Sequence, residues 1–355
     1  MKSGRYQDMG HSMVSVVMAV YNERPYLQEA VQSILDQTFE DFEFIIINDG
    51  STDGSKEVLE CFADRDDRIR LAHQENKGLI ASLNRGLDMA RGQYIARMDG
   101  DDISHPERLE KQVDFLNANS EIGILGTQIE WINSEGETIG SWSAPADPDL
   151  IAWKLLFNTC LDHPTILARK SLLLNLGGYA EWTLHAEDYE LWTRAVRKSR
   201  LASLPGTLLK HRQHDGSITV KRRREQIQMV CRAAANLHQE LLRGSFDEEV
   251  THFLVWAEIK GISEAITETN VCHLSRVQTY LRRLYAAYTE TLCSGNLNTQ
   301  VRRRALAKLQ SFASASEGST AEMKIQKLKN RLMPPRIQIL PWVFVCAKEK
   351  LGFRD

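Results

Sequence analysis

The feature that most constrains this chain is the alternation of short apolar runs with amphipathic stretches through its first third. Val14–Val20 and Phe42–Ile47 are β-branched and apolar, and Ile69–His73 and Tyr94–Met98 are shorter runs of the same kind. Between them Tyr26–Gln37, Ser55–Phe62 and Leu79–Ala90 carry helical periodicity, with Gly and Asp at the joins. Strands alternating with helices of this length predict βαβ units and a mostly parallel sheet whose ligands sit at the strands' carboxyl ends. Phe44–Ile47 shows no polar alternation, as expected of a strand covered on both faces.

From Ile122 the pattern loosens. Ile124–Ile132 and Thr138–Trp142 read as a hairpin around Asn133-Ser134-Glu135-Gly136, Glu187–Lys198 as a helix, and Leu208–His214 as a last strand or extended loop. Beyond about Val220, Glu225–Arg243, Glu248–Ile266, Val277–Leu292 and Val301–Phe312 read as helices. The expected organisation is an α/β domain over 13–220, a helical domain over 221–320 and a basic amphipathic tail over 321–355.

The 355 residues suit about two domains. A formal charge of −3 argues against binding nucleic acid through bulk charge. The charge is uneven: residues 321–355 carry eight Lys/Arg against three Asp/Glu, so an acidic body of net −8 precedes a +5 tail. No apolar run reaches the length of a spanning helix, and Val14–Val20 is a poor signal peptide and a good buried strand. Six scattered cysteines without a CxxC pair read as reduced core residues of a cytoplasmic protein.

Four motifs can carry chemistry. Met98-Asp99-Gly100-Asp101-Asp102 ends a predicted strand; its carboxylates repel one another unless a cation neutralises them, and hard divalent ions bridge carboxylates to phosphates. A surface acidic turn would have the same composition, but the place at a strand end favours function. In Asn48-Asp49-Gly50-Ser51-Thr52-Asp53-Gly54-Ser55 an apolar strand delivers Asp49 to a small-residue loop, where it can accept from a base N–H or a ribose hydroxyl; helix capping accounts for Asp53 and Ser55. In His185-Ala186-Glu187-Asp188 two acids open a helix; the helix dipole explains one, and the other is free to act as a general base. In His211-Arg212-Gln213-His214, residues 212 and 214 share a face and can meet a phosphate or a metal together, unless the segment is simply a solvated basic loop. A dinucleotide site is excluded, because Tyr21-Asn22-Glu23-Arg24 stands where GxGxxG would be.

In this order the motifs resemble the family 2 glycosyltransferases of GT-A type. Val16–Glu23 resembles the family's opening strand, Asp49–Asp53 its nucleotide loop, Asn76-Lys77-Gly78 its third element, Asp99-Gly100-Asp101 its Asp-x-Asp motif, Glu187-Asp188 its acidic pair and Arg212-Gln213-His214 its late Arg-x-His element. The likeness covers residues 13–220, with Leu83 where the family often has an arginine ahead of Asn84. It implies a GT-A nucleotide-diphospho-sugar transferase fold and inverting transfer of a hexosyl or N-acetylhexosaminyl group, most often from a UDP-sugar, to a hydroxyl of a glycan or lipid-linked acceptor, dependent on Mn²⁺ or Mg²⁺. It further implies nucleotide-sugar contacts from Ala19, Tyr21, Glu23, Asp49, Lys77, Asp99, Gly100 and Arg212, metal ligation by Asp99, Asp101 and His214, Asp188 as base with Glu187 positioning it, and His163 of His163-Pro164-Thr165 on the acceptor side.

Two rivals differ in class. A nucleotidyltransferase would need a Gly- and Arg-rich loop after the first strand, which Tyr21-Asn22-Glu23 is not. An inactive sugar-binding scaffold would not be expected to retain Asp99, Asp101 and Asp188 together. In the tail, Met323–Leu332 and Ile337–Ala347 mix apolar residues and aromatics with lysines, a pattern that suits either an interfacial anchor on an anionic membrane or packing on the helical region or a second subunit.

Overall fold

The computed structural model describes residues 12–214, 222–269, 271, 274–293 and, within 300–308, all but 302 and 306. Its N-terminal half is the expected parallel sheet. β1 (Val14–Val20), β2 (Phe42–Asp49), β3 (Ile69–Gln74) and β4 (Tyr94–Met98) lie in the order β3-β2-β1-β4, with α1 (Arg24–Leu35), α2 (Ser55–Ala63) and α3 (Leu79–Met89) as the crossovers. β2 is buried from end to end, which is why Phe44–Ile47 needs no polar alternation. Pleating divides the strands between two cores: Val17, Ile45 and Ile95 join one, and Val16, Phe44 and Ala96 the other.

Past β4 the sheet becomes mixed. The chain runs through β5 (Ile103–Ser104), α4 (Arg108–Ala118), β6 (Ile122–Ile132), β7 (Thr138–Trp142), α5 (Pro148–Lys154), β8 (Leu167–Arg169), α6 (Lys170–Asn175), α7 (Glu187–Ala195) and β9 (Arg200–Arg212). The three-residue β8 is antiparallel to both β4 and β6, and β9 runs parallel to β6. The β6–β7 hairpin forms as expected, while β9 begins eight residues ahead of the strand expected at Leu208. α5 starts at Pro148 under Asp147, which accepts from the amides of Asp149 and Leu150.

Among the described residues the helical region includes α8 (Arg223–Leu242), α9 (Glu248–Ile259), α10 (Ile262–Thr269) and α11 (Leu274–Thr291), and the described residues within 300–308 are helical as well. The single helix expected over Glu248–Ile266 is two, because Gly261 takes φ +98°, a left-handed value that ends α9. These helices share a core with the α/β part: Trp153 and Phe157 belong to the same buried cluster as Val230, Leu254 and Tyr288. At the junction buried His238 donates from Nε2 to the Leu156 carbonyl (2.8 Å), while its Nδ1 meets Thr251 Oγ1 (3.0 Å) and Tyr280 Oη (3.2 Å). The boundary expected near residue 220 and the tail over 321–355 lie outside the described residues. Among the described cysteines Cys160 and Cys231 are buried as expected, Cys293 is half-buried, and Cys61 is exposed instead of core. Among the described residues no helix is long and apolar enough to cross a membrane.

Candidate active site

The loops after β1 and β2 are sewn together. Asn22, left-handed at φ 59°, accepts the Thr52 amide on Oδ1 (2.8 Å), and Ser51 Oγ accepts the Asn22 amide (3.1 Å). Asp53 accepts from Ser55 Oγ (2.7 Å) and the Arg24 amide (3.0 Å), so Asp53 and Ser55 serve local structure, as their capping chemistry predicts. Asp49, 3% exposed, accepts from Gln74 Nε2 (2.7 Å) and from the amides of Lys77 and Gly78 (2.8 Å each). It therefore fixes the Asn76-Lys77-Gly78 element beside the cleft, with the Lys77 side chain exposed. Ala19 lies at the edge of the core facing α3, and Tyr21 is 49% exposed at the mouth.

β4 delivers the acidic loop. Glu23, Asp101 and His214 bring ligand atoms within 4.8 Å of one another, as do Asp99, Asp101 and Asp102, so Asp101 belongs to both groups. His214 Nε2 is 3.1 Å from Asp101 Oδ2 and its ring lies against Tyr26. A Cβ on Gly100 would come within 3.2 Å of Glu23 Cγ, so the glycine lets Glu23 close over the loop. Burial, with Asp101 and Asp99 adding to it, pushes the Glu23 carboxyl up to about 8. Burial raises Asp99 and Asp102 as well. This excess of negative charge, with carboxylates and an imidazole converging, fits a hard or borderline divalent cation.

Arg212, expected at the donor's phosphates, is drawn inward by the protein's own acceptors. Arg212 is 2% exposed and all its guanidinium nitrogens are engaged: Nε donates to the Asp101 carbonyl (2.8 Å), Nη1 to the carbonyls of Asn133 and Ser134, and Nη2 to Glu29 (2.7 Å). Its amide donates to Asp102 Oδ1 (2.8 Å), and its guanidinium covers Tyr26. Arg212 is the rivet that holds the acidic loop. Neighbouring His211 faces Asp162 and Asp102; against the burial that would lower it, these carboxylates push the imidazole up to about 10.

The second wall is the start of α7. Glu187 is 7% exposed, while Asp188 is half-buried and accepts the Tyr189 amide (2.6 Å). Burial, reinforced by the Glu187 charge, brings Asp188 up to about 7. His185, left-handed at φ 69°, makes the turn that aims the pair. His163, expected on the acceptor side, is 6% exposed, with Nε2 2.9 Å from Tyr179 Oη, Nδ1 3.9 Å from Glu187 Oε1, and Trp192 against its ring edge-on. Burial drives it well below the usual histidine range, so it is a neutral prop under Glu187.

Between the walls lies Arg97, which the motif reading missed. It is 4% exposed, two residues before Asp99 and ion-paired with it. Its charge acts on Glu187, Asp188, Tyr179 and His163. A charged residue inside an otherwise apolar strand was the available signal. Fully buried Arg108, beneath it, donates to the carbonyls of Arg97 (2.9 Å) and Pro164 (2.8 Å).

Residues 15–176 match the family model described as glycosyl transferase family 2. An uncharacterized glycosyltransferase of Haemophilus influenzae is 32% identical over 295 residues, covering 78% of this chain and 85% of that one. The O-antigen biosynthesis glycosyltransferase WbnJ of Escherichia coli is 36% identical over 209 residues, 58% of this chain and 81% of its own. In fold the chain is similar to S. aureus TarS in complex with UDP-GlcNAc, with a TM-score of 0.56, 17% identity and coverage of 92% of this chain and 94% of that one. It is also similar to the mannosyltransferase PcManGT of Pyrobaculum calidifontis in complex with GDP-Man and Mn²⁺, with a TM-score of 0.51, 18% identity and coverage of 96% and 88%.

Proposed function

The chain belongs to glycosyl transferase family 2, and from that premise we propose that it is an inverting, metal-dependent transferase that moves a hexosyl or N-acetylhexosaminyl group from a UDP-sugar to a hydroxyl of a glycan or lipid-linked acceptor. The observation that carries this reading is the proximity of two acidic stations. The Asp101–His214 cluster lies at the end of β4, and Asp188, brought up to about 7, opens α7. The stations are close enough that the charge of Asp99 reaches Glu187.

Asp101, Asp99 and His214 would hold Mn²⁺ or Mg²⁺, with Glu23 beside them. Such an ion supplies positive charge to the leaving diphosphate. Asp188 takes the proton of the acceptor hydroxyl as its oxygen bonds to the anomeric carbon and the bond from that carbon to the diphosphate oxygen breaks. A carboxylate tuned near neutrality suits that task. Glu187, propped by His163, holds the start of α7. Asp49 orders the loop that flanks the nucleoside.

WbnJ is named for O-antigen biosynthesis, and PcManGT is described with Mn²⁺. These names support a polysaccharide-type acceptor and a divalent ion for this chain. The basic tail suits an anionic membrane that presents a lipid-linked acceptor. Flotation of the full chain with anionic vesicles at low salt, but not of a chain ending at Gly318, is the expected result.

The deciding experiment is a panel of UDP- and GDP-sugars with mixed glycan acceptors, read by released nucleoside diphosphate with Mn²⁺ and with EDTA. Metal-dependent release from one donor class is expected. Tight donor binding without any turnover would favour the inactive sugar-binding scaffold.

A further inference from the structure

We propose that Arg97 grips the transferred sugar of the donor, donating from the guanidinium edge that Asp99 leaves free to a ring hydroxyl. This inference rests on the transferase reading above.

Three buried arginines surround the cleft floor, and two are committed elsewhere. Arg212 spends every guanidinium nitrogen on the acidic loop, the β6–β7 turn and Glu29. Arg108 lies under β4 at 0% exposure with both terminal nitrogens on carbonyl oxygens. Arg97 differs. Among the described residues its guanidinium has one partner, Asp99; its buried Nε has none, as is true of Arg108 too, but Arg97 lacks the carbonyl acceptors that hold both terminal nitrogens of Arg108. A buried guanidinium with an unused donor is costly to maintain and is the state a ligand would relieve.

Its position fits a sugar. Residues two apart on a strand share a face, so Arg97 projects to the same side of β4 as Ile95, and its ion pair with Asp99 holds it toward the acidic loop that follows the strand. That side carries Tyr179, His163, Glu187 and Asp188, whose ionisation Arg97 biases. In any transfer between the two stations the sugar ring must bridge them, because its anomeric carbon is bonded to the diphosphate at one and attacked by the oxygen activated at the other. Arg97 sits on that line. A guanidinium suits the contact, since its planar fork can hold a carboxylate with one edge and a hydroxyl oxygen with another.

The test is calorimetry in Mn²⁺ with UDP, UDP-glucose, UDP-galactose, UDP-GlcNAc and GDP-mannose on wild type, Arg97→Met and Arg97→Lys. Arg97→Met is expected to weaken the sugar nucleotide that wild type binds by ~10-fold or more, the scale of one charge-assisted hydrogen bond, while UDP or GDP stays within ~2-fold. Arg97→Lys, which keeps the charge beside Asp99 and guards against a misfolded Met variant, should fall between. Equal weakening of the bare diphosphate would mean that Arg97 acts only by holding Asp99, and would overturn the inference. An unchanged sugar nucleotide, or wild type that binds UDP or GDP but none of the sugar nucleotides, would overturn it too. If wild type binds no nucleotide at all, the transferase reading falls first and this inference with it.

Discussion

Asn84 clasps the backbone of Tyr179 from both sides: its Nδ2 donates to the Tyr179 carbonyl and its Oδ1 accepts the Tyr179 amide, both at 2.9 Å and across 95 residues of sequence. The clasp works because residue 178 is glycine; a Cβ there would stand 2.6 Å from Asn84 Oδ1. It sets Tyr179 so that its hydroxyl reaches His163, and through His163 it reaches Glu187. The element around Asn84 thus braces the floor beneath Glu187. Asn84→Asp keeps the size and removes the donor. It should cost about 1–3 kcal/mol in urea unfolding, the range for a buried unmet polar group, and lower kcat while leaving UDP affinity unchanged.

As the proposed base, Asp188 is expected to set the acid limb of the rate. With its carboxyl raised to about 7, proton abstraction needs the ionised form, so log kcat should rise with unit slope below about pH 7 and flatten above it. Asp188→Asn should remove that limb, reduce transfer by ~10²-fold or more and spare UDP binding. The same shift has a stability sign. The folded state holds this proton more tightly than the unfolded chain, which ionises from 3.8, so the fold is weakened as pH rises from there to about 7 and the loss is complete above it. Asp188→Asn should therefore raise Tm more at pH 8 than at pH 5.

His238 titrates in the opposite sense. Burial lowers it to about 3, so the folded state holds it neutral while the unfolded chain protonates near 6.5. Its contribution is intact above pH 6.5 and is lost below, at up to about 1.4 kcal/mol per pH unit. His163 adds a second group of this sign. His238→Gln should be less stable than wild type at pH 7.5, yet its denaturation midpoint should fall less steeply between pH 6.5 and 5.

Arg212→Lys tests the rivet. A single ammonium cannot reach Asp101, Asn133, Ser134 and Glu29 together. The acidic loop should loosen, and Mn²⁺-dependent UDP binding should weaken by ~10-fold or more with little change in the pH limb set by Asp188. If the loss instead appeared with UDP in EDTA to the same extent, Arg212 would be touching the nucleotide itself.

The parallel half was legible because β1, β2 and β4 are short, mostly apolar stretches separated by helical ones, and their order with α1–α3 follows from the βαβ pattern. Asp99, Asp101 and Glu187-Asp188 were legible because carboxylates at a strand end and a helix start are costly unless used. β8 was not, since Leu167–Arg169 gains strand character only from being wedged between β4 and β6. Nor were the true stations of Arg212 and His163: sequence offers a charged or polar group, while its partners come from Glu29 and Asn133, or from Tyr179 and Trp192, at distances no local pattern encodes. Arg97 escaped because a lone arginine between Ala96 and Met98 looks like an interruption of a strand.

The knot at His238 limits how this enzyme could be re-engineered. One imidazole ties α8, α9 and α11 to the carbonyl after α5, and Tyr288 Oη adds a bond to the Asp149 carbonyl from the far helix. Exchanging everything after the α/β part for the corresponding stretch of a relative would strip Trp153 and Phe157 of their lids and orphan Leu156 at once. A working hybrid would have to carry α5 and the segment through Phe157 along with the incoming helices. The cassette that swaps is defined by the shared core, and its seam lies inside the catalytic half of the chain.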